Sequence, residues 1–263
     1  MGEQMTVRLD VSDTLATITL ARPEAHNALD TATKVAFQEA IDAAAGDSAV
    51  RAVLITAEGK NFCVGQDLSE HVTALETDPA AAMDTVGIHY NPLIRSLQNL
   101  SVPVVVALPG ACVGAGLGIA LAGDVRVAGT KSSFATAFTG IGLASDSGLS
   151  YSLVESLGSS RACALMLLGD KITASQALDW GLVHRVVADE EVLATASGIA
   201  RELAAGPTEA YRQVKSLVQA SASGLSEALD RELVAQRHLG QTADHQAAVD
   251  AFLGKTKPVF IGA

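Results

Sequence analysis

Two glycine-rich segments are the first places where this 263-residue chain could do chemistry. Asn61-Phe62-Cys63-Val64-Gly65-Gln66-Asp67-Leu68 follows an aliphatic run at 50–57 and opens a helical stretch. Gly114-Ala115-Gly116-Leu117-Gly118 follows a second such run at 102–108 and also opens a helix, whose first N–H groups have no partner within it. If the loops converge, the amides of Gln66 and Ala115 can grip one carbonyl oxygen and stabilise a developing oxyanion. The alternative is two tight turns, the commoner use of glycine loops. Asp146, in Gly142-Leu143-Ala144-Ser145-Asp146-Ser147-Gly148, sits among small residues where desolvation would raise its pKa toward a working acid/base value. An aspartate there equally suits the N-cap of the following helix. His26, His71, His89, His184, His238 and His245 form no H-x-x-x-H pair, no G-x-S-x-G elbow occurs, and the Gly114 run does not fit a dinucleotide fingerprint. Metal, serine-nucleophile and nicotinamide chemistry therefore have no footing in these motifs.

The elements that must hold these groups are legible from period and punctuation. Residues 6–11 and 15–20 alternate as a hairpin around Ser12-Asp13. Asp30 can N-cap a helix running to about residue 45, with Val35, Ile41 and alanines on its buried face and Gly46 at its end. A strand at 50–57, a helix at 92–100, a strand at 102–108, the post-Gly114 helix and a strand at 123–128 follow. This alternation predicts an α/β fold with a helix-covered sheet. Beyond about residue 144 helices dominate, at 147–157, 159–168, 174–180, 190–204, 208–220, 225–240 and 243–253, interrupted at 182–187. The division expected is a core over 1–190 carrying the pocket and a helical region over 191–263 that packs on it or on a neighbouring subunit.

Composition narrows the class. Hydrophobic residues make up 49% but aromatics only 4%, so the core must be built from Ala, Val, Leu and Ile. A net charge of −11 without a basic run argues against nucleic acid, and an anionic ligand would need local cations or helix N-termini. Three widely spaced cysteines make neither a disulfide framework nor a zinc cluster; with no basic-apolar leader, a reducing, cytoplasmic setting is expected. The uncharged run at 96–123 is long enough to span a bilayer, but Pro103, Pro109-Gly110 and its glycines read as strand, loop and buried helix, so no membrane partner is expected.

Several motifs in order carry a family likeness: Arg22-Pro23-Glu24-Ala25-His26-Asn27-Ala28-Leu29, Phe62 through Leu68, Pro103-Val104 through Gly116, Gly123-Asp124, Ile172-Thr173-Ala174, Trp180-Gly181-Leu182-Val183, and Phe252 through Phe260. The chain resembles the crotonase, or enoyl-CoA hydratase/isomerase, superfamily. The resemblance implies a crotonase-type spiral of β-β-α units, a helical C-terminal trimerisation region, and a homotrimer or hexamer. It also implies an acyl-CoA thioester substrate, with coenzyme A part of that substrate and no separate cofactor. Matched by position, the oxyanion donors fall on the amides of Gln66 and Ala115, with Gly65, Gly114 and Phe138 around the thioester. Ala25 and His26 would lie along the CoA, and Phe252 and Lys255 would reach CoA bound to a neighbouring subunit. Because the donor is an amide, the Gln66 side chain is expected to matter little.

Departures from the family select among its reactions. The two glutamates that hold water in family hydratases fall on Gly118 and Phe138, so hydration lacks its usual groups. Residues 141–148 resemble the ring-epoxide and enoyl-CoA isomerases, which implies Asp146 as a proton shuttle, and Tyr90-Asn91-Pro92-Leu93-Ile94-Arg95 resembles the segment before that subfamily's second loop. A 4-chlorobenzoyl-CoA dehalogenase type would also use an aspartate at 146, but its histidine falls on Asn91 and its tryptophan on Phe138, with His89 two residues away. A hydratase using Glu70 or Glu155, and a CoA-thioester binder with little turnover, complete the alternatives. Residues 69–87 are expected to cover the acyl pocket.

Overall fold

A hairpin starts the fold: β1 (Val7–Ser12) pairs antiparallel with β2 (Leu15–Leu20), and Asp13 takes a left-handed conformation at the turn. The computed structural model describes residues 5–78, 81–220, 236, 238, 239 and 242–263, the side chains of Phe252 and Leu253 excepted. α1 (Thr31–Gly46) begins where Asp30 Oδ1 accepts from the Thr33 amide at 2.8 Å. Its buried face carries Lys34, Phe37, Ile41 and Ala44, whereas Val35 is exposed, contrary to the expectation from sequence. The stripe is set by Phe37, which lies four residues before Ile41.

β3 (Ala52–Ala57), β4 (Val104–Leu108), β6 (Val125–Gly129) and β9 (Arg185–Val187) extend the hairpin into one six-stranded sheet, ordered β1-β2-β3-β4-β6-β9 and parallel from β2 onward. Alternation along β3 sends Val53 and Ile55 into the main core and Ala52 and Leu54 into a second core on the other face. There α7 (Val192–Ala204) covers the sheet with Val192, Ala196, Ala200 and Ala204, so the helical C-terminal part begins by closing the sheet.

A second sheet, β5 (Ala111–Val113), β7 (Ser133–Ala135) and β8 (Ile172–Thr173), was hidden in the sequence because its strands have only two or three residues. α2 (Leu68–Thr77), a π-helical turn (Val86–Tyr90) and α3 (Asn91–Asn99) connect β3 to β4, and α4 (Ala115–Ala122) connects β5 to β6. α5 (Leu149–Leu168) joins the two helices expected at 147–157 and 159–168, with a non-helical Gly158 at the kink. α6 (Ala174–Asp179), α8 (Thr208–Gln219) and α9 (Ala243–Gly254) complete the order. The helix expected at 225–240 lies almost wholly outside the described residues. Among the described residues no helix is long and apolar enough to cross a membrane.

Candidate active site

The two glycine loops converge through the main chain. Cys63 and Cys112 form a parallel bridge, with the Val113 amide donating to Cys63 O at 2.9 Å. This seats the loop leaving β3 on the strand that leads to α4. Gly116 fits only because it lacks a side chain: a Cβ there would lie 2.5 Å from Cys63 O. A Cβ on Gly65 would lie 3.4 Å from the Ala115 nitrogen.

Both proposed donors are free. The Leu29 amide donates to Gly65 O at 2.8 Å and Leu29 O accepts from the Asp67 amide at 3.1 Å, which turns the intervening Gln66 N–H to the opposite side of the chain. Ala115 is the first residue of α4 and Gly114 precedes it at φ 57°, ψ −125°. Neither the Gln66 nor the Ala115 amide has an acceptor among the described residues. Phe138 flanks them, its Cζ 3.9 Å from where a Gly114 Cβ would stand.

Asp146 is not a cap. The residue preceding α5 is Gly148, in a left-handed conformation, and no side chain caps that helix. The Asp146 carboxylate instead accepts one hydrogen bond, from the Ser147 hydroxyl at 2.8 Å. Burial pushes its carboxyl pKa up, only partly opposed by the Ser147 hydrogen bond and the charge of Lys34. Its loop rests on α4, because Gly118 packs against the Ser147 backbone one helical turn beyond Ala115.

The Gln66 side chain is bound on every polar atom. Its Oε1 accepts from Lys34 Nζ at 3.1 Å and from the Tyr90 hydroxyl at 2.7 Å, and its Nε2 donates to Glu70 Oε1 at 3.0 Å. The side chain on which little was expected to depend is thus the meeting point of three neighbours. Lys34 and Tyr90 were missed from sequence, although Lys34 stands in phase with Phe37, Ile41 and Ala44. Partial burial alone would raise Glu70, but hydrogen bonds from the Thr31 amide, Lys34 and Gln66 hold it at about 2. Glu155 is exposed on α5 and does not join the cluster.

The turn carrying Ala25 and His26 is tied to both loops. Asn27, in a left-handed conformation, donates to Glu58 O at 2.9 Å and to Asn61 O at 2.8 Å. Asn61 Nδ2 meets His26 Nδ1 at 3.0 Å, while its Oδ1 accepts from the Ala111 amide at 2.9 Å. His26 is exposed and Ala25 half-buried, so the turn presents a surface beside the loops. Lys255 is exposed and, among the described residues, makes no hydrogen bond to the loops. The last residues of the chain are held by Arg51, which donates to Phe260 O at 3.4 Å, and by Asp244, whose carboxylate accepts from the amides of Ile261 at 2.7 Å and Gly262 at 2.9 Å. The Phe252 side chain lies outside the described residues.

Two free amides on bridged loops, with a half-buried carboxyl on a loop that packs on α4, are groups that could polarise a carbonyl and move a proton. Residues 10–263 match the family model for enoyl-CoA hydratase/isomerase, and the chain belongs to that family. It is 37% identical over 251 residues to a 1,2-epoxyphenylacetyl-CoA isomerase of Escherichia coli (strain K12), covering 94% of each chain. It is also 32% identical over 224 residues to 4-chlorobenzoyl coenzyme A dehalogenase-2 of Arthrobacter sp, covering 85% of this chain and 80% of that protein. A solved Mycobacterium abscessus structure, whose description places it in the enoyl-CoA hydratase/isomerase class, superposes with a TM-score of 0.96 at 55% identity, covering 98% of this chain and 100% of the other. The protein is thus a crotonase-fold enzyme that processes acyl-CoA.

Proposed function

We propose that the protein is an enoyl-CoA isomerase that moves a double bond by way of an enolate. The observation that carries this reading is the uncommitted Asp146 carboxyl, which caps no helix and rests on α4 one turn beyond Ala115. The thioester oxygen accepts from the amides of Gln66 and Ala115, which become stronger partners as negative charge develops. Asp146 takes the proton from the carbon beside the thioester carbonyl, and the electron pair moves onto the held oxygen. Returning that proton two carbons further along shifts the double bond into conjugation, with no atom gained or lost. Asp146 is ionised to begin the cycle and neutral midway, and a raised pKa suits both states.

Glycine at 118 and phenylalanine at 138 leave no carboxylate to position water, which argues against hydration. Asn91 in place of a histidine argues likewise against dehalogenation. We further infer a homotrimer or hexamer in which the exposed Lys255 serves the CoA of a neighbour.

The reading is tested by incubating 2-enoyl-, 3-enoyl- and arylacetyl-CoA thioesters in deuterated water and identifying the products. Migration of the double bond with deuterium on the acyl carbons is expected. A 3-hydroxyacyl product would replace this reading with hydration, and halide release with formation of the hydroxybenzoyl product from 4-chlorobenzoyl-CoA, included as a further substrate, with dehalogenation.

A further inference from the structure

α1 carries a lysine where its buried stripe calls for a hydrocarbon. The Lys34 side chain is 0% exposed, and methionine or leucine would fill that volume without desolvating a charge. Packing alone therefore does not account for the ammonium. All three of its N–H groups are spent: on Gln66 Oε1 at 3.1 Å, Glu70 Oε1 at 3.0 Å and Thr85 Oγ1 at 2.8 Å. It also stands 5.3 Å from the centroid of the Tyr90 ring, whose hydroxyl holds the same Gln66 oxygen. Glu70 completes the circuit by accepting from the Thr31 amide at the start of α1 at 2.6 Å. One side chain thus joins α1, the loop bearing the Gln66 amide, α2 and the π-helical turn.

We propose that Lys34 is a positioning residue of the active site: through its bond to Gln66 Oε1 it fixes the loop that presents the first proposed oxyanion donor. Its positive charge also favours the ionised form of Asp146. The catalytic meaning of that charge rests on the isomerase reading, whereas the bonds and the charge themselves do not. The titratable groups gathered around Tyr90 and Asp146 are Lys34 from α1, Asp67 and Glu70 at the start of α2, His89 on the π-helical turn, and Cys63. Lys34 opposes the desolvation of Asp146 and, after burial itself, is the main charge holding His89 low. Removing it leaves the Ser147 hydroxyl as the remaining stabiliser of the Asp146 carboxylate.

The test compares wild type, Lys34→Met and Lys34→Arg as full-length proteins. Carbon-13 NMR follows the Asp146 carboxyl, assigned with Asp146→Asn, across the pH range. In Lys34→Met the midpoint is expected to rise by about half a pH unit or more, the scale for losing one nearby unit charge. Lys34→Arg is expected to keep the wild-type midpoint while recovering only part of the activity, because its planar fork cannot reproduce three tetrahedral donors. Turnover in Lys34→Met should fall about tenfold or more through kcat, with KM for the thioester little changed. An unchanged Asp146 midpoint in folded Lys34→Met, or a loss confined to KM, overturns the proposal. Should Lys34→Met fail to fold because Glu70 is left unpaired, Lys34→Met/Glu70→Gln removes that charge and is read the same way. The carboxyl titration needs no turnover, so failure of the isomerase reading would be seen separately, as a wild type that leaves the enoyl thioesters unisomerised.

Discussion

Gly118 lies against the backbone of Ser147, so closely that a Cβ at position 118 would stand 2.5 Å from the Ser147 carbonyl oxygen and 2.6 Å from its Cβ. The contact seats the Asp146 loop on α4 and leaves no room for a side chain. Gly118→Ala should displace that loop, lowering turnover and costing about 1–3 kcal/mol, the usual range for overpacking. Chemical unfolding and initial rates check it together. Gly118→Glu should not create a hydratase, because the carboxylate cannot be housed without moving Asp146.

Asp146→Asn should abolish most turnover. Because folding raises this carboxyl's pKa, the ionised form is disfavoured in the native state and burdens stability above the unfolded pKa. The neutral amide is therefore expected to melt at or slightly above the wild-type temperature near pH 7. In the wild type, kcat should fall with acid along a limb lying above the ordinary carboxylate value of about 4. A large drop in melting temperature would show a structural role instead.

Ala115→Pro deletes a proposed oxyanion donor at a position where helices accept proline, the first residue of α4. Turnover should fall about a hundredfold or more, the scale for one lost donor, while the protein still folds. Circular dichroism and initial rates separate the two effects.

Glu70 offers a test by acid. Its folded pKa, about 2, lies below its unfolded value, so it contributes stability at neutral pH that is lost as the pH falls from about 5 through 2. Glu70→Gln should flatten the acid side of the melting-temperature profile in that window. A profile identical to wild type would mean that its three hydrogen bonds do not persist in solution.

Assembly is expected from exposed Leu167 and Leu168, at 68% and 71% exposure, and from Val218 at 66%. Sedimentation at micromolar concentration should show a trimer or a multiple of it, and a monomer would remove the proposed role of Lys255 at a neighbour's CoA.

Sequence patterning revealed the hairpin, the long parallel strands and the two loops, because alternation, capping aspartates and glycines leave local marks. It did not reveal β5, β7 or β8, whose few residues carry no period, and it joined Val35 to a buried stripe that Phe37 leads. Asp146 was ambiguous for a physical reason: the same residue type caps helices and shuttles protons, and only the left-handed Gly148 before α5 excludes the cap. Lys34 was readable as a charge in phase with Phe37 and Ile41, but its partners lie 32 to 51 residues away and only the fold brings them together.

The bridge between Cys63 and Cys112 has a consequence for how such an enzyme changes over evolutionary time. It ties the loop that carries the Gln66 amide to the strand that leads into Ala115, so the spacing of the two proposed donors is inherited with the main chain and is invisible to most side-chain substitutions. The proposed proton-moving carboxyl of Asp146 sits on a separate loop that ends at the left-handed Gly148. Polarisation and proton transfer are thereby separable units of heredity. A lineage can exchange the carboxyl, its position or its neighbours and explore a new reaction on the same activated thioester, without rebuilding the part that makes the thioester reactive.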